Sequence, residues 1–294
     1  MTVMNEMNPR RSLVLLVTSL CIMGTIGLFR RYIPLSSGLL AFWRGLIGAV
    51  SLLVFILLRR RGAWQRIGGR KLAALAATGA CLGINWMLFF EACSRTTIAR
   101  ATLCYYMQPT IVTLLSPLVF HERLTAKKAA CAAVAVIGMA LVSGVPGGAQ
   151  SGGAKGVLLG LGAAAFYSAV VILNKKIGGV NACRKTAVEM LSAGLVMLPY
   201  LLLTGGFGLG PVSAGALAML LVVGVVHTGL AYLLYFGSMD GLRVQSIAIL
   251  SYADPVSALL FSALFLREPL SAPGLLGAAL IIGSAVYSEW NGRG

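Results

Sequence analysis

Apolar residues in this chain run in long blocks, and most charged residues fall in the gaps between them or at their ends. Ten blocks of about 18–24 residues stand out, at 12–29, 37–58, 71–92, 98–120, 127–144, 154–174, 184–204, 213–237, 243–266 and 273–290. That length spans the hydrocarbon core of a bilayer as a helix. The joining segments are short and leave no room for a soluble domain. The pattern predicts an all-α integral membrane protein with ten transmembrane helices. The first block follows Arg10 and Arg11, as a signal peptide would. It runs into Arg30 and Arg31 without a small-x-small cleavage site, so it reads as a retained helix.

Composition agrees: 58% of the 294 residues are hydrophobic and 11% are charged, with a mean hydropathy of +0.88. A soluble chain of this size needs more polar surface. The net charge of +16 would suggest nucleic acid in a soluble protein. Its distribution points to the lipid bilayer instead. With the amino terminus in the cytoplasm, seventeen Lys and Arg fall inside. Six fall outside, at Arg30, Arg31, Arg95, Arg100, Lys155 and Arg267, and Arg44 lies within a helix. That asymmetry places both termini in the cytoplasm of a multi-pass protein and leaves no role for a nucleic-acid partner.

Six cysteines never form Cys-x-x-Cys, and the two histidines, His121 and His227, are far apart in sequence. No cluster has metal-ligand spacing, so neither a metal nor a cofactor is expected. The cysteines read as small packing residues.

The chain contains a tandem repeat. Residues 83–125 align without a gap on 229–271 at an offset of 146, and ten of the 43 positions are identical. Tyr106/Tyr252, Pro109/Pro255, Ser116/Ser262, Glu122/Glu268 and Leu124/Leu270 are among them. The first five-helix repeat is read as 12–144, the linker as the glycine-rich 145–153, and the second repeat as 154–290. Five is odd, so the second repeat enters the membrane from the opposite side. The fold class is therefore two inverted-topology five-helix repeats, related by a pseudo-two-fold axis in the membrane plane.

The segments "YYMQP…HERLT" and "SYADP…REPLS", together with "AFWRG" at 41–45, resemble the EamA-type branch of the drug/metabolite transporter superfamily. The resemblance covers essentially the whole chain. It implies transport of a small metabolite, frequently export of amino acids and related compounds, across the inner membrane of a prokaryote. It also implies a central cavity lined mainly by the first, third, fourth, sixth, eighth and ninth helices, with the fifth and tenth peripheral.

Ionisable groups deep in a bilayer are costly and face a cavity or a partner. Asp254 lies near the midplane of the ninth block, directly before Pro255, and its repeat mate Gln108 precedes Pro109 in the fourth. Each proline removes a helical hydrogen bond and frees a carbonyl, which is tolerable only beside protein or water. The two interrupted helices are expected to meet at a substrate site, where Asp254 either binds a substrate ammonium or carries a coupling proton. Packing and helix bending are the alternative reading of the same residues. Tyr252 and Tyr106 share faces with the prolines at i, i+3. Trp86 and Tyr232 are repeat mates, Asn85 adjoins Trp86, and Tyr167 and His227 sit within the sixth and eighth blocks. Aromatic walls hold an apolar body or a cation, and an imidazole can carry a proton. Packing, or a satisfied core histidine, again stands beside these roles. Arg44 and Glu189 correspond at an offset of 145, toward opposite faces, so no direct salt bridge between them is expected. Arg44 remains open between gating, substrate binding and structure. Glu189 reads as structural, snorkelling toward Arg184 and Lys185. Glu122 and Glu268, beside Arg123 and Arg267, read as charge clusters fixing helix ends, with Thr125 and Ser271 as N-caps. Gly156 and Gly160 form a close-packing Gly-x-x-x-Gly face, which leaves monomer and homodimer both open.

An integral-membrane enzyme is the main rival class. Its diphosphate chemistry would need clustered acids for magnesium, whereas the eight acidic residues here are scattered singly. A channel would need a filter or a ring of charges, and no such pattern is visible. Secondary active transport of an amino acid, an amine or a related compound by alternating access is the reading adopted, with proton coupling open.

Overall fold

The computed structural model describes residues 8–30, 32–58, 67–96, 98–142, 154–207, 212–266 and 271–290. These residues are helical, without a strand among them. In chain order the α-helices are α1 Pro9–Gly24, α2 Ile26–Arg30, α3 Ser37–Leu58, α4 Gly69–Arg95, α5 Ile98–Tyr105, α6 Gln108–Phe120 and α7 Ala126–Val142. There follow α8 Ala154–Lys176, α9 Ala182–Leu203 and α10 Ala214–Val222; a π-helical segment, Val223–Leu230, then joins α10 to α11 Ala231–Ser238. A 3₁₀ turn, Met239–Gly241, leads to α12 Val244–Ser251, α13 Ala253–Leu266 and α14 Ala272–Trp290. The expected linker 145–153, and Arg267, Glu268 and Leu270, lie outside the described residues.

By length and composition, seven helices among the described residues can cross a membrane. Pro9–Gly24 and Ala126–Val142 reach only 16 and 17 residues, and Ala272–Ser288 is a shorter apolar helix. Large apolar side chains are exposed around the outside, including Leu58, Leu118 and Leu203, whereas Asn85, Thr186 and Glu189 are fully buried. This inverts a soluble protein's arrangement and suits a bundle set in lipid.

Helix ends follow local chemistry. Pro9 opens α1 where its missing N–H costs nothing, and the Asn8 side chain accepts from Arg10 N at 2.9 Å. The expected N-caps are present: Thr125 Oγ1 accepts from Lys128 N at 3.3 Å and Ser271 Oγ from Gly274 N at 3.1 Å. His121, at φ 55°, turns the chain out of α6. Glu122 does more than sit in a charge cluster. Its two oxygens accept from Val244 N at 3.1 Å and Gln245 N at 3.4 Å, which caps the amino end of α12 from the other repeat. Glu122→Ala is expected to cost about 1 kcal/mol, the usual loss for a cap, read as a lower melting temperature in detergent.

The contacts come in mated sets under the exchange of repeats. The pairing of α4 with α8 is matched by α11 with α1, and α4 with α9 by the π-helical segment with α3. The packing of α5 and α6 on α8 is matched by α13 on α1, while α3 with α9 and α7 with α14 are each their own mates. Gly156 and Gly160 are used within the chain. A β-carbon on Gly156 would lie 2.7 Å from Thr96 Cβ, and one on Gly160 would lie 2.7 Å from Cys104 Cβ. The Gly-x-x-x-Gly face thus seats α8 against the carboxy ends of α4 and α5.

Candidate functional site

Two of the long rods are broken near their middles, at matching places. Between α5 and α6 the chain turns at Tyr106 and Met107, and Pro109 falls in the first turn of α6. Between α12 and α13 it turns at Tyr252, and Pro255 follows in the first turn of α13. Each proline lacks the N–H that would reach back four residues, to Tyr105 and Ser251 respectively. Those two residues are repeat mates, and both line one cavity.

The cavity has a volume of about 670 Å³ and lies between α1, α2, α3, α4, α5, α6, α8, the π-helical segment and α11 to α13. None of its lining residues comes from α7, α9 or α14. Tyr167, Tyr232, Tyr235 and Ser251 line it, together with residues from the carboxy-terminal halves of α1 and α4. Its volume suits a small metabolite.

Asp254 stands in the first turn of α13, where the helix amino end favours negative charge. Its Oδ2 accepts from the Tyr106 hydroxyl at 2.8 Å, a bond that crosses between the repeats. Gln108 holds the mated place at the start of α6. Its backbone oxygen accepts from Ser168 Oγ at 3.2 Å, and its side-chain Nε2 has no protein partner. Arg44 reaches in from α3 and sets its guanidinium 4.6 Å from the Trp86 ring centroid, a cation–π contact, with Nε unpaired. Asn85 donates to Ala163 O at 2.7 Å, which ties α4 to α8. His227 sits in the π-helical segment, its Nε2 2.8 Å from Thr25 Oγ1, and its ring packs 4.6 Å from that of Phe29. Thr25 Oγ1 is also 2.7 Å from Ile22 O, so the hydroxyl stands between that carbonyl and the imidazole. Thr25 is the joint between α1 and α2. Tyr105 and Tyr167 stack at 5.8 Å and 19°, and Tyr105 also meets Phe89 at 4.9 Å.

Asp254, Tyr106, Gln108, Trp86, Asn85, His227, Tyr232, Tyr167 and Arg44 thus line one cavity. Tyr252 departs from the expectation. It is 1% exposed and lies behind the wall, packed with Ala135, Met139, Val256, Ala278 and Ile281. Its hydroxyl is 2.7 Å from Thr110 Oγ1, so it braces the two breaks rather than facing the cavity. Pro109 and Pro255 shape the breaks without lining the cavity. Glu189 also departs from its expected role: it is fully buried and does not snorkel. Phe89, Tyr105, Tyr235 and Ser251 were not anticipated on the wall. Ser251 is the repeat mate of Tyr105, and Tyr235 is three residues beyond Tyr232, so repeat and helical spacing together carried a signal for both.

A bundle of membrane-length helices around a polar, aromatic-walled hollow defines the class of integral membrane transport proteins. The EamA-like transporter family model matches residues 10–144 and again 154–288, and the chain belongs to that family. It is 27% identical over 257 residues to the uncharacterized transporter YxxF of Bacillus subtilis, covering 86% of this chain and 81% of that one. It is 26% identical over 211 residues to protein PecM of Dickeya dadantii, covering 71% and 70%, and 25% identical over 247 residues to protein RarD of Streptomyces exfoliatus, covering 80% and 74%. A solved crystal structure shares the fold at a TM-score of 0.83 and 20% identity, covering 96% of this chain and 98% of that one. The protein is a multi-pass membrane transporter.

Proposed function

We propose that this transporter exports a small metabolite with a cationic amine, an amino acid or a related compound, across the cytoplasmic membrane by alternating access. The observation that carries this reading is the cavity pairing of Asp254, held by Tyr106, with Arg44 on Trp86, inside aromatic walls. A zwitterion finds a carboxylate for its ammonium and a guanidinium for its carboxylate, and the rings take an apolar body.

Ten membrane crossings in two inverted repeats, 12–144 and 154–290, complete the reading, with both termini cytoplasmic. The mated contact sets support the two-fold relation between repeats, and the odd helix number turns it into an inversion. In that orientation the carboxy-terminal halves of α1 and α4, which line the cavity, lead toward the outer face. Toward the other end of the bundle, Lys175 Nζ donates to Met239 O and to Leu242 O at 2.6 Å, and Gln245 Nε2 donates to Ser116 Oγ at 2.6 Å. In this reading these bonds close the cytoplasmic side. The proton partner is assigned to Asp254, with His227 as a second candidate on the cavity lining.

The test is a thermal-shift screen of the purified protein against amino acids, amines and sugars. A hit is then measured as flux in proteoliposomes with and without a pH gradient. An amine or amino acid is expected to raise the melting temperature, and the gradient to accelerate its flux. Stabilisation by sugars alone, or flux indifferent to the gradient, overturns the substrate class or the coupling respectively.

A further inference from the structure

A second buried acid lies away from the cavity. Glu189 of α9 is 0% exposed, and neither carboxylate oxygen has a hydrogen-bond partner within 3.5 Å. The Asn174 amide of α8 faces it, is 1% exposed, and also leaves both polar atoms unpaired. Lys185, one turn earlier on α9, is the cation that acts on Glu189. Its ammonium is nonetheless committed elsewhere: Nζ donates to the carbonyls of Asn174 and of Ile177, the latter at 3.1 Å, at the carboxy end of α8. The other charges acting on Lys185 are Lys175 of α8 and Asp240 of the 3₁₀ turn. From α4, Gly79 meets the Glu189 backbone, and Arg44 of α3 turns away to Trp86.

An ionised carboxylate with no hydrogen bond, in a site without solvent exposure, carries a desolvation cost of several kcal/mol. A single proton removes that cost and supplies a donor for the Asn174 amide. A metal cation fits poorly, because Lys185 repels it and a lone carboxylate and amide make too few ligands.

We propose that Glu189 is a proton-binding site, separate from the cavity acid, that is loaded while the cytoplasmic ends of α8 and α9 are closed. When those ends part, Lys185 leaves the α8 carbonyls and becomes free to pair with Glu189, and the carboxyl proton passes to cytoplasmic water. The residue thereby links proton release to opening of that side. The coupling role rests on the transport reading above; the proton site does not.

Infrared titration of the purified protein tests the site directly. The wild type is expected to show a protonated-carboxyl C=O band that is lost in Glu189→Gln and retained in Asp254→Asn. Gln matches the neutral acid in shape, so Glu189→Gln is expected to melt at or above the wild-type temperature. Lys185→Gln covers the case in which Glu189→Gln does not fold: the band is expected to persist in it as in the wild type. Two results overturn the proposal. One is an identical band set in wild type and Glu189→Gln. The other is a carboxyl band that appears only in Lys185→Gln, which would mark Glu189 as the charged half of an ion pair. A Glu189 band in a protein that no amine or amino acid stabilises counts against the proposed substrate class alone.

Discussion

Asp254→Asn is expected to abolish substrate flux while leaving the fold intact. The amide oxygen still accepts from the Tyr106 hydroxyl, which lies 2.8 Å from Oδ2 in the native protein, so the bond between the repeats survives. The negative charge at the start of α13 is lost. Removing one member of a buried, hydrogen-bonded charge pair costs ~2–5 kcal/mol, or a fall of roughly thirty-fold to several thousand-fold in affinity for a cationic amine. Tyr106→Phe keeps the charge and loses the bond that aims it, with a smaller expected loss of ~1.5–3 kcal/mol. Flux and ligand-induced thermal shift in both variants, beside circular dichroism, separate the two roles. Wild-type, gradient-driven flux in Asp254→Asn would remove Asp254 from the site.

The all-helical, membrane-length character of the chain was legible because membrane helices declare themselves by length, and the repeat because Tyr-x-x-Pro and Glu-x-Leu recur in one register. Asp254, Gln108 and Arg44 were legible for a related reason: a polar side chain within an apolar helix needs something to face. Tyr252 was misplaced because it and Tyr106 carry the same local sequence cues. Its mate faces Asp254, but Tyr252 meets Thr110, two residues beyond the mated Gln108, and only the three-dimensional crossing of α6 and α12 shows that shift. The π-helical segment had no periodic signature, since one widened turn leaves composition unchanged. There Thr228 Oγ1 returns to Val223 O, five residues back, at 3.0 Å. The capping of α12 by Glu122 was equally hidden, because it joins residues 122 positions apart. Glu189 looked like a snorkelling acid because basic residues precede it, and the sequence does not reveal that Lys185 would be held by the end of α8.

Gly79→Ala is expected to have the largest structural effect of any single methyl group on the α4–α9 contact. In lipid, helices associate through close packing and hydrogen bonds, since burial of apolar surface gives little advantage over the acyl chains. The added carbon would lie 2.4 Å from Glu189 O, 2.8 Å from its Cα and 2.7 Å from Ser192 Cβ. Two of those atoms are backbone, so rotamer changes give no relief, and α9 must move away. Moving it stretches the bond from Ser192 Oγ to Ala76 O, 2.6 Å in the native packing. Overpacking of this kind costs ~1–3 kcal/mol, with about 1 kcal/mol more for the hydrogen bond. Gly283→Ala in α14 is the control: its β-carbon meets nothing within 4 Å, and helix propensity alone favours the alanine. A lower melting temperature for Gly79→Ala and an unchanged or higher one for Gly283→Ala are the expected pair. Equal melting temperatures would mean that α4 and α9 are free to separate. In that case the exclusion of water around Glu189 would fail with it, because the contact that moves is Glu189's own backbone.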